Sequence, residues 1–168
     1  SLSLKLGGPP VRPYQPPGLW DSKVGGDRVT YDVSSGEDGR RRGIYTVWKR
    51  ASPYPSFVNF DAPARTACTV RRSRTNTPLQ SLTLLNDPVY VEAARALARR
   101  VVSDLPAAGT DERLRHAFRL CVARQPNAGE LAALRGLLEA QRAVGGEESA
   151  WQAVATTLLN LDEMITKG

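Results

Sequence analysis

Thr110-Asp111-Glu112-Arg113-Leu114-Arg115-His116-Ala117-Phe118-Arg119-Leu120-Cys121-Val122 is the stretch on which the fold class turns. Leu114, Ala117, Phe118, Cys121 and Val122 stand at i, i+3, i+4, i+7 and i+8, the spacing that aligns side chains along one face of an α-helix. A helix with one apolar face needs neighbours to cover it, and the flanking sequence supplies them. Downstream, Gln125-Pro126-Asn127 stops the helix, and Asn127 with Glu130 opens another that carries Leu131, Leu134, Leu137 and Leu138. Gly145-Gly146 ends that helix, and Trp151, Val154, Ala155, Leu158, Leu159 and Ile165 form the buried face of a last one. Upstream, residues 104–109 are a connector. Before it, Asp87-Pro88 starts a helix with Tyr90, Ala94, Leu97 and Val101 on one face, running to about Ser103. Thr77-Pro78-Leu79-Gln80 offers a capping box for a short helix ahead of that one. Short connections favour antiparallel neighbours, so the expectation is a mainly α fold, a small antiparallel helical bundle over residues 78–168.

The sequence changes character near Thr77. Residues 1–77 hold 13 Lys and Arg against 6 acidic residues, whereas residues 78–168 hold 10 against 11, so the net +6 is concentrated in the first part. Pro9, Pro10, Pro13, Pro16, Pro17, Pro53, Pro55 and Pro63 also lie there and break regular structure. Residues 1–77 are therefore read as a long Pro/Gly/Arg-rich, loop-dominated segment packed on the bundle. Gly43 to Trp48 suits either a strand or a helical turn, 29–33 suits a short strand, and 9–17 should run extended.

At 168 residues with 41% hydrophobic content, the chain has material for one modest core, which favours a single domain. Its longest apolar runs fall far short of the roughly 20 residues that cross a bilayer, so no membrane span is expected. The lone methionine, Met164, and the opening Ser1-Leu2-Ser3-Leu4 lead to the expectation that this is the C-terminal fragment of a longer protein. Cys68 and Cys121 are too few for a disulfide framework, although one bond between them is compatible with an oxidising compartment. With His116 the only histidine and no Cys-x-x-Cys-His run, neither a zinc site nor a haem attachment is expected within these residues.

The chemistry most worth weighing lies in Arg71-Arg72-Ser73-Arg74-Thr75-Asn76-Thr77-Pro78, where guanidinium groups and hydroxyls crowd toward a helix start. Helix N-termini favour anions. Arg71, Arg72 and Arg74 are candidate anion clamps, and Thr75 and Thr77 candidate donors. Set against this, arginines in long loops commonly tie down carbonyls and carboxylates such as those of Asp61 and Asp87. Arg40, Arg41 and Arg42 extend the candidate anion surface; with Lys49-Arg50, interleaved with Tyr45 and Trp48, they also resemble a nucleic-acid surface, but no recognition motif accompanies them and nucleic acid is not favoured. Cys68 near Arg71 and Arg72, His116 with Asp61, and a carboxylate pair of Asp61 with Asp162-Glu163 are the pieces from which catalysis could be assembled; nothing in the sequence brings the carboxylates together, and Cys68, His116 and Asp61 have ordinary structural readings. The aromatics Trp48, Tyr54, Phe57 and Phe60 suit either a sugar platform or a local core, and the core reading is preferred.

Several motifs in order carry a resemblance. Gly7-Gly8-Pro9, Pro13-Tyr14-Gln15-Pro16-Pro17-Gly18-Leu19-Trp20, Arg41 to Arg50, Phe60-Asp61-Ala62-Pro63, and Arg71 to Gln80 continuing through Leu84-Leu85-Asn86-Asp87-Pro88 are together similar to a planctomycete-type C-terminal domain of unknown function. Arg124-Gln125-Pro126 before Glu130, and Leu159 to Glu163, resemble a helical unit shared by several families. The resemblance implies the end of a large secreted or envelope protein with a cytochrome-c-like domain upstream. It implies an extracytoplasmic location, any haem held in that other domain, and no catalytic residue to carry over. The function expected is a non-catalytic structural or interaction domain whose partners are other domains of the parent protein. The alternative is a module for acidic ligands such as sulfated or uronic polysaccharide, and an enzyme ranks below both.

Overall fold

The structure, a computed structural model, describes residues 2–20 and 30–166. It is mainly helical, and the described residues contain no sheet. The chain divides into two compact units, Ser1–Thr75 and Asn76–Gly168, with the boundary beside the change in charge and proline content.

The second unit is a helical bundle of α2 (Pro78–Asn86), α3 (Pro88–Asp104), α4 (Thr110–Val122), α5 (Ala128–Leu159) and α6 (Asp162–Ile165). Three of these begin at side-chain caps. Thr77 Oγ1 accepts from the Gln80 N–H at 3.3 Å while Gln80 Oε1 accepts from the Thr77 N–H at 2.9 Å. Asp87 Oδ1 accepts from the Val89 N–H at 2.9 Å. Asn127 and Glu130 repeat the reciprocal arrangement at 2.9 and 2.7 Å. Each cap satisfies N–H groups that the first turn leaves without a partner. α4 starts without a side-chain cap at Gly109, and it ends when Ala123 turns left-handed at φ 60, ahead of Gln125-Pro126.

Gly146 interrupts α5 with φ 76 and ψ −173, a combination essentially closed to residues with a Cβ. The two arms fold back on each other. Arg124, just before the first arm, bonds Glu130 at that arm's start and Glu163 beyond the second arm's end, so the two distant ends meet. α3 runs antiparallel to the second arm, with Arg95 donating to Gln152 and Arg99 to Glu148, both at 3.3 Å. The core between them is one cluster built around Leu114, Phe118, Leu138 and Leu158, joined by Ala94, Val101, Trp151 and Val154.

Several positions differ from the sequence reading. On α3 the buried line runs through Ala94, Ala98 and Val101, with Tyr90 and Leu97 only partly covered, because small residues let the neighbouring helix approach closely. Ile165 is half-buried on the separate α6, since the helix carrying Leu158 stops at Asn160.

The first unit is mostly irregular. A 3-10 turn at Gly43–Tyr45 leads into an isolated parallel bridge between Val11 and Thr46, where the Val11 N–H donates to Tyr45 O at 2.8 Å and the Val47 N–H to Val11 O at 2.9 Å. The stretch from Gly43 to Trp48 thus combines a helical turn with one extended pairing. Residues 30–33 make no strand pairing, and Val29 lies outside the described residues. α1 (Pro55–Asn59) is a single turn whose sequence signal is Pro55 at its first position. Val11 and Trp20 are buried here, and Trp20 meets Tyr31 edge-on at 4.8 Å. Tyr31 donates to Pro13 O at 2.6 Å, and burial pushes its phenol up to about 12.

Candidate functional site

The Arg-rich loop of the first unit is built on Asp61. This residue sits at φ 57, a left-handed conformation that short polar side chains tolerate, and its Oδ2 accepts from both the N–H and Oγ1 of Thr75 at 2.8 Å. Arg72 Nε donates to Asp61 O at 2.8 Å, and its Nη2 donates to Phe60 O. The two ends of a loop over residues 61–75 are thereby pinned together, in the manner of a compact Ω-loop. Arg72 and Thr75 are spent on closing it. Arg71 and Arg74 are exposed and make no hydrogen bond or ion pair among the described residues. In the second unit, Thr77 gives its hydroxyl oxygen to the α2 cap.

The three consecutive arginines have different roles. Arg41, 5% exposed, donates to the carbonyls of Pro9 and Lys5 at 3.2 and 3.3 Å and to that of Gly7, and its guanidinium lies 3.7 Å from the Tyr45 ring centroid. Gly7 and Gly8, at φ 70 and 92, bend the chain so that these carbonyls converge on it. The Gly7 N–H also donates to the Tyr45 hydroxyl at 3.0 Å, which, with Arg42 and Arg41 nearby, holds that phenol below its usual range. Arg40 and Arg42 are exposed. Arg41 is thus an internal strut, which the sequence marked only through the Gly-Gly-Pro segment it binds.

Beside the Asp61 loop lies an open cleft of about 430 Å³, walled by Trp48, Pro53 and Pro63 and carrying Arg50, Thr66, Thr69, Arg72 and Ser73. Sequence reasoning met Arg50 only as part of a basic run with Lys49 and did not bring it together with these three hydroxyls, because nothing local shows that residues near 50 and near 70 share a wall. Trp48 stacks on Phe57 at 5.7 Å and 20°, and the Arg65 guanidinium lies 4.4 Å over its ring. Phe57 in turn meets Tyr54 edge-on at 5.3 Å. These aromatics pack chiefly on one another.

The remaining candidates have partners within their own units. His116, half-buried on α4, contacts Asp104 Oδ2 at 3.0 Å, and this bond together with Arg100 holds the Asp104 carboxyl below its usual range. Asp162 accepts from Asn76 Nδ2 at 2.6 Å. Cys68 is exposed, Cys121 is buried on the α4 stripe, and neither forms a disulfide. Arg124 lies 4.8 Å over the Phe118 ring and forks onto Glu130 and Glu163. Its hydrogen bonds, with the Asn127 N–H, pull the Glu130 carboxyl down to about 2 and lower that of Glu163. Among the described residues no group of three His, Cys, Asp or Glu side chains is placed to hold a metal ion, and no helix is long and apolar enough to cross a membrane.

A capped helical bundle joined to a basic, loop-built unit whose polar groups mostly close its own loops is the class of domain defined here. The chain matches the family model PSD1, described as a protein of unknown function (DUF1553), over residues 1–138, and it belongs to that family. The match takes in the first unit and the bundle as far as Leu138. No curated protein and no solved structure matches the chain.

Proposed function

We propose that this chain is a non-catalytic interaction domain of a larger extracytoplasmic protein, that a cytochrome-c-like domain lies elsewhere in that protein, and that the chain docks other domains of it. The observation that carries this reading is the internal use of the polar groups: Asp61 serves Thr75, Arg72 and Arg41 serve carbonyls, Thr77 serves a helix cap, and His116 serves Asp104. Each of these contacts stabilises a loop or a helix end within its own unit. The sequence holds no Cys-x-x-Cys-His run, so covalent haem would belong to residues outside it.

Support for docking comes from α2. Leu79, Leu82 and Leu85 stand three residues apart along it, 62%, 55% and 48% exposed, while Gln80 and Leu84 on the same helix are buried. A row of exposed leucines is the kind of surface that partner contacts cover. The test is to express the rest of the parent protein separately and titrate it with this chain in sedimentation velocity. A complex that forms with the wild type and is lost with Leu82→Glu/Leu85→Glu supports the reading. No complex with the wild type overturns it.

A further inference from the structure

We propose that the cleft beside the Asp61 loop is a binding site for an anionic polysaccharide, one bearing sulfate or uronate groups. The charges of the two units are arranged differently. In the bundle most arginines are neutralised: Arg99 by Glu148, Arg100 by Asp104, Arg124 by Glu130 and Glu163, Arg135 by Asp111, and Arg142 by Glu147. In the first unit, Arg50, Arg65, Arg71 and Arg74 are exposed and meet no carboxylate among the described residues. Uncompensated guanidinium groups concentrate anions at a surface, and their planar forks match the oxygens of sulfate and carboxylate.

The cleft gathers this charge into a site. Arg50 and Arg72 lie on its wall, Arg65 rests on the Trp48 that lines it, and Arg71 and Arg74 flank the wall residues Arg72 and Ser73 in the chain. Its volume of about 430 Å³ lies within the range of small-ligand sites. Thr66, Thr69 and Ser73 bring hydroxyls that make no hydrogen bond among the described residues, which suits a ligand rich in hydroxyl groups. Among the described residues Asp61 is the one carboxylate on the wall, and its Oδ2 is engaged by Thr75. A polysaccharide fits better than nucleic acid, because binding of single strands relies on open aromatic faces for base stacking. Trp48 instead carries Phe57 and Arg65 against its ring.

The test uses the whole chain, with dextran sulfate and polygalacturonate as probes, against neutral dextran and a single-stranded oligonucleotide. Expected are binding to at least one anionic polymer that weakens from low to moderate salt, and about a tenfold loss in Arg50→Ala/Arg74→Ala, the equivalent of about 1.4 kcal/mol. Arg115→Ala/Arg119→Ala removes the same charge from exposed positions of α4 that meet no carboxylate among the described residues, and should change affinity less than about twofold. The uncharged change Thr69→Val/Ser73→Ala should also weaken binding, with far-UV circular dichroism confirming that each variant folds. Equal losses in the two arginine pairs would reduce the effect to net charge and overturn the site. Tighter binding of the oligonucleotide, or equal binding of neutral dextran, would overturn the ligand class.

Discussion

Replacing Gly146 by Ala tests the bend on which the bundle depends. At φ 76 and ψ −173 this residue occupies backbone space that a Cβ makes unfavourable, at a cost of about 1–3 kcal/mol. A Cβ there meets nothing within 4 Å, so the cost is conformational and involves no collision with neighbours. Loss of unfolded-state freedom on going from Gly to Ala offsets about 0.4–1 kcal/mol of it. The net expectation is destabilisation of about 1–2 kcal/mol, which for a unit of this size lowers the melting temperature by about 5–15 °C. Gly136→Ala is the matched comparison, because Gly136 lies within the first arm of α5 and a Cβ there also meets nothing within 4 Å. In that helical setting the same chemical change should stabilise by about 0.5–1 kcal/mol. Thermal unfolding followed by far-UV circular dichroism reads both, and the helical bundle dominates that signal. If the two variants melt together, the arms do not turn at Gly146 through a left-handed residue, and the hairpin reading of α5 fails.

Other consequences follow from the same contacts. Leu138→Ala, at a core position with 0% exposure, should cost about 2–5 kcal/mol, read as a lower urea midpoint at unchanged slope; a loss below about 1 kcal/mol would show the core to be loosely packed. Glu130 has a folded pKa near 2 against an ordinary 4.5, so its contribution is present above pH 4.5 and is lost as pH falls toward 2. The urea midpoint of the bundle should therefore drop across that window, and Glu130→Gln, which keeps a capping-box side chain, should flatten part of the drop. Asp61→Ala removes the acceptor that closes residues 61–75 and should speed tryptic cleavage at Arg65, Arg71 and Arg74, with Asp61→Asn intermediate; unchanged cleavage would mean that Asp61 does not hold the loop. Arg41→Lys should destabilise the first unit nearly as much as Arg41→Ala, because an ammonium cannot span the carbonyls of Lys5, Gly7 and Pro9 together.

The helices were legible in the sequence because their determinants are local. A cap and its target N–H lie within three residues, as in Thr77 with Gln80 and Asn127 with Glu130, and an apolar stripe such as Leu114 to Cys121 repeats every turn. Gly145-Gly146 likewise announced a break within the long apolar run. What the sequence did not convey was the choice among partners far apart in the chain. It showed that the arginines were many, while only the folded unit decided that Arg41 would be buried against Lys5 to Pro9, that Arg72 would close the loop at Asp61, and that Arg50 would line one cleft with Thr66, Thr69 and Ser73. Periodicity and capping thus determine that residues 78–168 become a helical bundle. Loop closure over tens of residues determines which polar groups in residues 1–75 are consumed and which remain for a ligand, and that outcome depends on backbone carbonyls brought together by the fold, which no residue code records.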